Sequence, residues 1–271
     1  MKKNVIEIED VKTLVPQLQN EKVIKALLDM LHVTDANVLH ARHCDKRGAD
    51  FTDAILHDLG VTLQIENEER LHHLPEGAFV TVANHPFGAI DGLINISLFA
   101  RYRPEYKVMV NRILTYIGAM QDNFIAVEPF STEKGKSVSM NGLRQAIQQV
   151  RNGNPIGFFP AGAVSNLKWG LKTEDREWQP NIMRLVKQFK KPVIPIYFYG
   201  RNSLSFYFLR SISWKLSSLC LATQLFNKRG KTIRVFIGET IEPEEYAHIE
   251  NEHELGVFLR AKSLAMRNEM K

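Results

Sequence analysis

Apolar residues recur with two periods along this chain, and the change of period marks where helix gives way to strand. In the first part the spacing is helical. Val23, Ile24, Leu27, Leu28 and Leu31 share one face, and Phe51, Ala54, Ile55 and Leu59 repeat the pattern after a turn at Gly48. Short runs of strand character follow: VTLQIEN, AFVTVAN, KVMV, FIAVEPF, PIGFFP, PVIPIYFYG and TIRVFIG. Between them the helical period returns over 92–100, 138–150 and 181–189, most clearly where Leu143, Ala146, Ile147 and Val150 line one side. Strands alternating with helices of this length predict an α/β fold, a mixed sheet flanked by helices, with an N-terminal helical cap. The cap is placed at residues 1–73 and the main domain at 74–271. No linker, internal repeat or low-complexity stretch divides them, so one structural unit is expected.

Composition narrows the class. The chain has 271 residues, 44% apolar and 24% charged, which suits a globular protein and excludes a disordered or collagenous one. Its two cysteines, Cys44 and Cys220, cannot make a disulfide framework or a CxxC metal knuckle, and a reducing compartment is expected. No stretch reaches the roughly 18 apolar residues of a spanning helix. Near the start, Glu7, Glu9 and Asp10 occupy the place where a signal peptide needs apolar residues. Neither a bitopic nor a signal-bearing secreted protein is expected.

The net charge of +5 says little, but its distribution says more. Residues 178–238 contain no Asp or Glu and eleven Lys or Arg, interleaved with Phe206, Tyr207, Phe208, Trp214, Leu216 and other apolar residues. That mixture suits an anionic membrane surface, where cations meet head groups and large apolar side chains enter the acyl boundary. A single core helix over 204–226 with a solvated basic face fits the same residues. No recognised nucleic-acid module is present, and a nucleic-acid partner is not expected.

The candidate chemistry lies at strand ends, where loops of an open α/β sheet collect functional groups. After AFVTVAN, the sequence places His85, then Pro86 and Gly88, and then Asp91 where a helix is predicted to begin. Imidazole titrates near neutrality and can take a proton from a hydroxyl, while a carboxylate on its other nitrogen fixes the tautomer. The same two residues also fit a helix N-cap at Asp91 and a half-buried structural histidine at 85. Asn84 can orient the loop, and Gly88 and Gly92 let the backbone bend towards a ligand.

The ordered set NHPFGAIDG, FIAVEPF, FFPAG and VIPIYFYG resembles the glycerolipid (lysophospholipid) acyltransferase family over residues 51–238. The NHPxGxxDG form is similar to a bacterial branch that includes the O-acyltransferases of ornithine and glycine lipid synthesis. The resemblance implies that His85 is the general base and Asp91 its partner, although five residues separate them where the family usually has four. It further implies substrate contacts from Asn84, Gly88, Arg112, Phe159, Pro160, Gly162 and Ser165, with an oxyanion held by loop N–H groups or that of Gly162. In the family's FPEGTR block, Glu and Arg hold the acceptor phosphate; here Ala161, Ala163 and Val164 replace Glu, Thr and Arg. A lysolipid built on an N-acyl amino acid is therefore the expected acceptor. Lysophosphatidic acid held by Lys168, Arg176 or Arg112, and a non-catalytic lipid-binding module, are the alternatives. The co-substrate is an acyl-ACP or acyl-CoA thioester, no cofactor is expected, and the protein is placed peripherally on the cytoplasmic face of the inner membrane. His40, His43 and Cys44, like His72 and His73, are read as packing or surface residues; no metal is expected.

Overall fold

In the computed structural model, which describes residues 4–14, 16–127, 140–212 and 221–269, all seven strand-like runs join one sheet. The strands are β1 (Thr62–Glu66), β2 (Val80–Ala83), β3 (Lys107–Asn111), β4 (Phe124–Val127) and β5 (Ile156–Phe158). A small hairpin, β6 (Asn166–Leu167) and β7 (Thr173–Glu174), precedes β8 (Val193–Tyr199) and β9 (Thr232–Ile237). The order in the sheet is β1-β9-β8-β2-β5-β3-β4. Only β8 and β9 pair antiparallel, so the sheet is mixed and the fold is α/β.

Four helices precede and flank β1: α1 (Ile8–Leu14), α2 (Glu21–Met30), α3 (Val33–His43) and α4 (Gly48–Asp58). Asn20 caps α2 by accepting the N–H groups of Lys22 and Val23. β1 lies within residues 1–73, yet it pairs along its length with β9, because both strands present apolar residues to a shared core. The helices of the sheet follow as α5 (Ala89–Phe99), α6 (Met140–Arg151) and α7 (Pro180–Phe189). α8 (Leu204–Ile212) and α9 (Leu221–Phe226) come after β8, and a short α10 (Pro243–Tyr246) leads to α11 (Glu252–Ala265).

Alternation along the strands feeds two cores. Ala83, Ile194, Ile196 and Phe198 pack with residues of α4 and α5, including Ile55, Ile94 and Phe99. Val80, Val82, Ile156 and Val193 pack with α6, α7 and α11, including Ala146, Val186 and Leu259. α7 illustrates the match of sequence to fold. Pro180 starts it without needing a hydrogen-bonded N–H, and Ile182, Met183, Leu185, Val186 and Phe189 form its buried stripe.

Three sequence expectations need adjustment. The helix placed at 92–100 begins at Ala89, because Gly88 turns the chain (φ 98°) and Asp91 sits in the first helical turn. Gly92 is therefore interior to α5 rather than a hinge. Of the helix expected over 204–226, the stretches Leu204–Ile212 and Leu221–Phe226 are helical, and residues 213–220, including Trp214 and Lys215, lie outside the described ones. Residues 128–130 of FIAVEPF and 138–139 of the next helix also lie outside them.

Candidate active site

His85 lies just past the C-terminal end of β2, and α5 begins four residues later. His85 Nδ1 is 2.9 Å from Asp91 Oδ2. The ring N–H does not point along that line well enough for a hydrogen bond, so the contact is one of proximity and charge. Asp91 is fully buried, whereas the His85 side chain is 19% exposed. The same Oδ2 accepts the backbone N–H groups of Phe87 and Gly88, each at 3.0 Å. One oxygen of Asp91 thus closes the N-terminal turn of α5, whose N-cap is Gly88 and not Asp91, and lies beside the imidazole. The positive end of the α5 dipole lies at this carboxylate. Gly88, at φ 98°, occupies backbone space that other residues avoid, which lets the loop fold back onto Asp91.

The loop is fastened from three sides. Asn84 continues β2 past its last sheet pair, and its carboxamide donates to Phe198 O (2.9 Å) and accepts from Phe198 N (2.7 Å). It holds the root of the loop to β8. Ser165 N donates to His85 O (2.8 Å), and His85 N donates to Asp175 Oδ1 (3.2 Å). Asp175 also accepts Ser165 Oγ and, through Oδ2, Trp178 Nε1 (3.1 Å). Burial pushes the Asp175 carboxyl above the usual range, and the hydrogen bonds from Ser165, Trp178 and His85 oppose that shift. Ser165 is buried, with its hydroxyl donating to this carboxylate. Neither Asp175 nor its clamp was visible in the sequence, since its partners lie in separate elements.

Phe159 lies against His85 with ring centroids 4.3 Å apart and planes tilted by 32°, and Pro160 O accepts the N–H of Gln179 at the start of α7. Gly162, at φ 64°, makes a tight turn in which its N–H donates to Phe159 O (2.9 Å), and a Cβ there would collide with Gln179. Gly162 therefore offers no free oxyanion donor, contrary to expectation. The N–H groups of Gly162, His85, Phe87 and Gly88 are all engaged within the protein. Arg112 begins a 3-10 turn after β3, and its side chain lies outside the described residues.

Two groups missed by sequence reasoning complete the floor. Asn202 donates from Nδ2 to Phe87 O (3.1 Å), and its buried Oδ1 has no hydrogen-bond partner among the described residues. Lys228 belongs to the basic stretch, but it is buried, with Nζ 4.5 Å from the Phe87 ring centre and donating to Arg201 O (2.9 Å). Burial lowers its ammonium to about 8, against the attraction of Asp91. The native protein therefore gives up this proton before the unfolded chain does. Its penalty for holding the charge is full below pH 8 and fades as pH rises towards the ordinary lysine value. Denaturant unfolding at several pH values should show the wild type gaining stability on Lys228→Met by about 2–3 kcal/mol across that window. Parallel curves would show that Lys228 titrates normally.

Other basic residues of 178–238 are paired at the surface: Arg184 with Glu252, Arg234 with Glu66, and Lys187 donates to Glu250 O. His43 contacts Asp58 (3.0 Å), while His40 and His72 pack edge-on against Phe51 and Tyr102. A cavity of about 350 Å³ lies beside β1 and the far end of α5, lined by Leu56, Leu63 and Leu98 among others, and shares no residue with the His85 loop.

A sequence model of the family described as Acyltransferase matches residues 9–271, and the chain belongs to that family. Among curated proteins, it is similar to the lyso-glycine lipid O-acyltransferase of Bacteroides thetaiotaomicron, 28% identical over 81% of this chain and 80% of that protein. The protein of the same name from Phocaeicola vulgatus is 28% identical over 81% of this chain and 78% of its own. Among solved structures, the 1-acyl-sn-glycerophosphate (LPA) acyltransferase PlsC of Thermotoga maritima aligns over 91% of this chain and 94% of its own, with TM-score 0.49 and 15% identity.

Proposed function

We propose that this acyltransferase is membrane-associated and moves a fatty acyl group from an acyl thioester to the hydroxyl of a lysolipid carrying an N-acylated amino acid, as in glycine lipid synthesis. The carrying observation is the pairing of a partly exposed His85 with a buried Asp91 at the end of β2, in a chain of this family. His85 takes the acceptor's hydroxyl proton on Nε2 as that oxygen bonds to the thioester carbonyl carbon. The C–S bond then breaks, and the thiolate leaves with the proton returned by the imidazolium. Asp91 holds the ring and balances its transient charge.

The acceptor assignment rests on what surrounds the third block. Val164, at the position where the family's phosphate-holding Arg is expected, is buried with Phe206 and Tyr207. No guanidinium fork stands there to grip a phosphate. The names of the two curated relatives point the same way. Lysophosphatidate is the second acceptor to weigh, because Lys168 and Arg176 lie on the adjoining segment with exposed side chains. The thioester donor is acyl-ACP or acyl-CoA, and the site of action is the cytoplasmic face of the inner membrane.

The test supplies purified protein with acyl-ACP or acyl-CoA and, in parallel, a hydroxyl-bearing N-acyl glycine, its ornithine counterpart or lysophosphatidate. Thiol release is expected with an N-acyl amino acid. Faster release with lysophosphatidate would overturn the acceptor assignment. Lipid binding without thiol release from any acceptor would leave only a lipid-binding module.

A further inference from the structure

The hairpin β6–β7 has a tip unlike the rest of the surface. Trp169 is fully exposed and Leu171 is 54% exposed, on a turn between the two short strands. The base of the hairpin packs on α8: Val164 and Leu167 meet the buried face of that helix, Phe206 and Tyr207. Thr173 Oγ1 further ties it to Gly200 O at the end of β8. With its inner face used in this way, α8 leaves Leu204 and Phe208, one turn apart, exposed at 52% and 66%. Two neighbouring elements thus each put large apolar groups into solvent, which costs free energy unless something covers them.

The charges around the tip show what covers it. Lys172, Arg176, Arg201 and Arg210 have no acidic partner within ion-pair distance among the described residues, in contrast to the paired Arg184 and Arg234 of the same chain. Arg176 and Arg210 are close enough to repel. Burial, reinforced by that repulsion, holds the Arg210 guanidinium below its ordinary value. A protein partner with an apolar face alone would leave this positive potential unmet. An anionic lipid surface meets both needs, with phosphates at the cations and acyl chains around the indole.

We infer that the Trp169–Leu171 tip and the outer face of α8 form one docking surface that inserts into an anionic bilayer. This deepens the membrane association proposed above and rests on that reading. The hairpin also springs from the clamp on His85, because Ser165 and Asp175, at its two roots, bind the backbone of that residue. Docking at the tip is therefore linked through the hairpin roots to the loop that carries His85.

The experiment measures binding of the full chain to vesicles of phosphatidylethanolamine with phosphatidylglycerol, and to phosphatidylcholine alone. Wild type should bind the anionic vesicles, with salt weakening it, and Trp169→Ala/Leu171→Ala should bind them about tenfold less tightly or worse. Both sites are exposed, so the melting temperature should not move. Unchanged binding by the variant, or equal binding to phosphatidylcholine, would overturn the proposal. Acyl transfer measured with detergent-dispersed substrates separates the two readings. The tip variant should keep wild-type turnover there, whereas absence of turnover in the wild type would sink the enzymatic reading and leave the vesicle result standing.

Discussion

His85→Ala should cut thioester turnover by about 10²–10⁴-fold, the range by which a positioned general base accelerates proton transfer. Its fold should survive, because the residue's main structural bonds are made by its backbone N–H and C=O, which alanine keeps. Asp91→Asn is the informative companion. A carboxamide oxygen can still accept the N–H groups of Phe87 and Gly88, so the start of α5 should persist, while the negative charge facing the imidazole is lost. A drop in turnover with little change in melting temperature would separate charge balance from helix capping. Near-normal turnover by His85→Ala would remove the imidazole from the mechanism.

The largest effect on stability is expected at Asp175. Its carboxylate is the shared acceptor for Ser165 Oγ, His85 N and Trp178 Nε1, and Asp175→Ala strands all three donors in a dry part of the protein. Each buried donor left without a partner costs about 1–3 kcal/mol, so a loss of about 3–5 kcal/mol is reasonable after relaxation. The melting temperature should fall by about 10 °C. Activity should fall as well, since the backbone of His85 loses one of its anchors. Asp175→Asn keeps an oxygen for Ser165 and His85 and removes a charge whose burial is unfavourable, so it should recover much of the stability. If Asp175→Ala melts with the wild type, the Asp175 clamp contributes nothing and the loop is held by its other bonds, from Asn84, Asp91, Asn202 and the Ser165 backbone.

The legible parts of this protein were those written in neighbouring residues. Period-2 runs such as AFVTVAN and TIRVFIG give their strands directly, because one pleat decides which face each side chain takes. The stripe of Leu143, Ala146, Ile147 and Val150 gives α6 in the same manner. The His85–Asp91 pair was also legible, since the six-residue offset folds back over the first turn of one helix. Asp175, Asn202 and Lys228 were not. Each reaches the His85 loop from a distant part of the chain, and nothing beside Lys228 in the sequence distinguishes it from the surface lysines around it. The β6–β7 hairpin escaped notice for another reason: its strands are two residues long, too short for any period to register. Charge counting likewise overstated the basic surface, because pairing of Arg184 and Arg234 with distant glutamates is a property of the tertiary structure.

One pairing shapes how the molecule is made. Among the described residues, β1, near residue 64, has β9, near residue 234, as its one sheet neighbour. During synthesis the early strand waits unpaired, with Leu63 and Ile65 uncovered, until β9 has left the ribosome. Closing so long a loop is entropically slow and leaves a sticky edge exposed meanwhile.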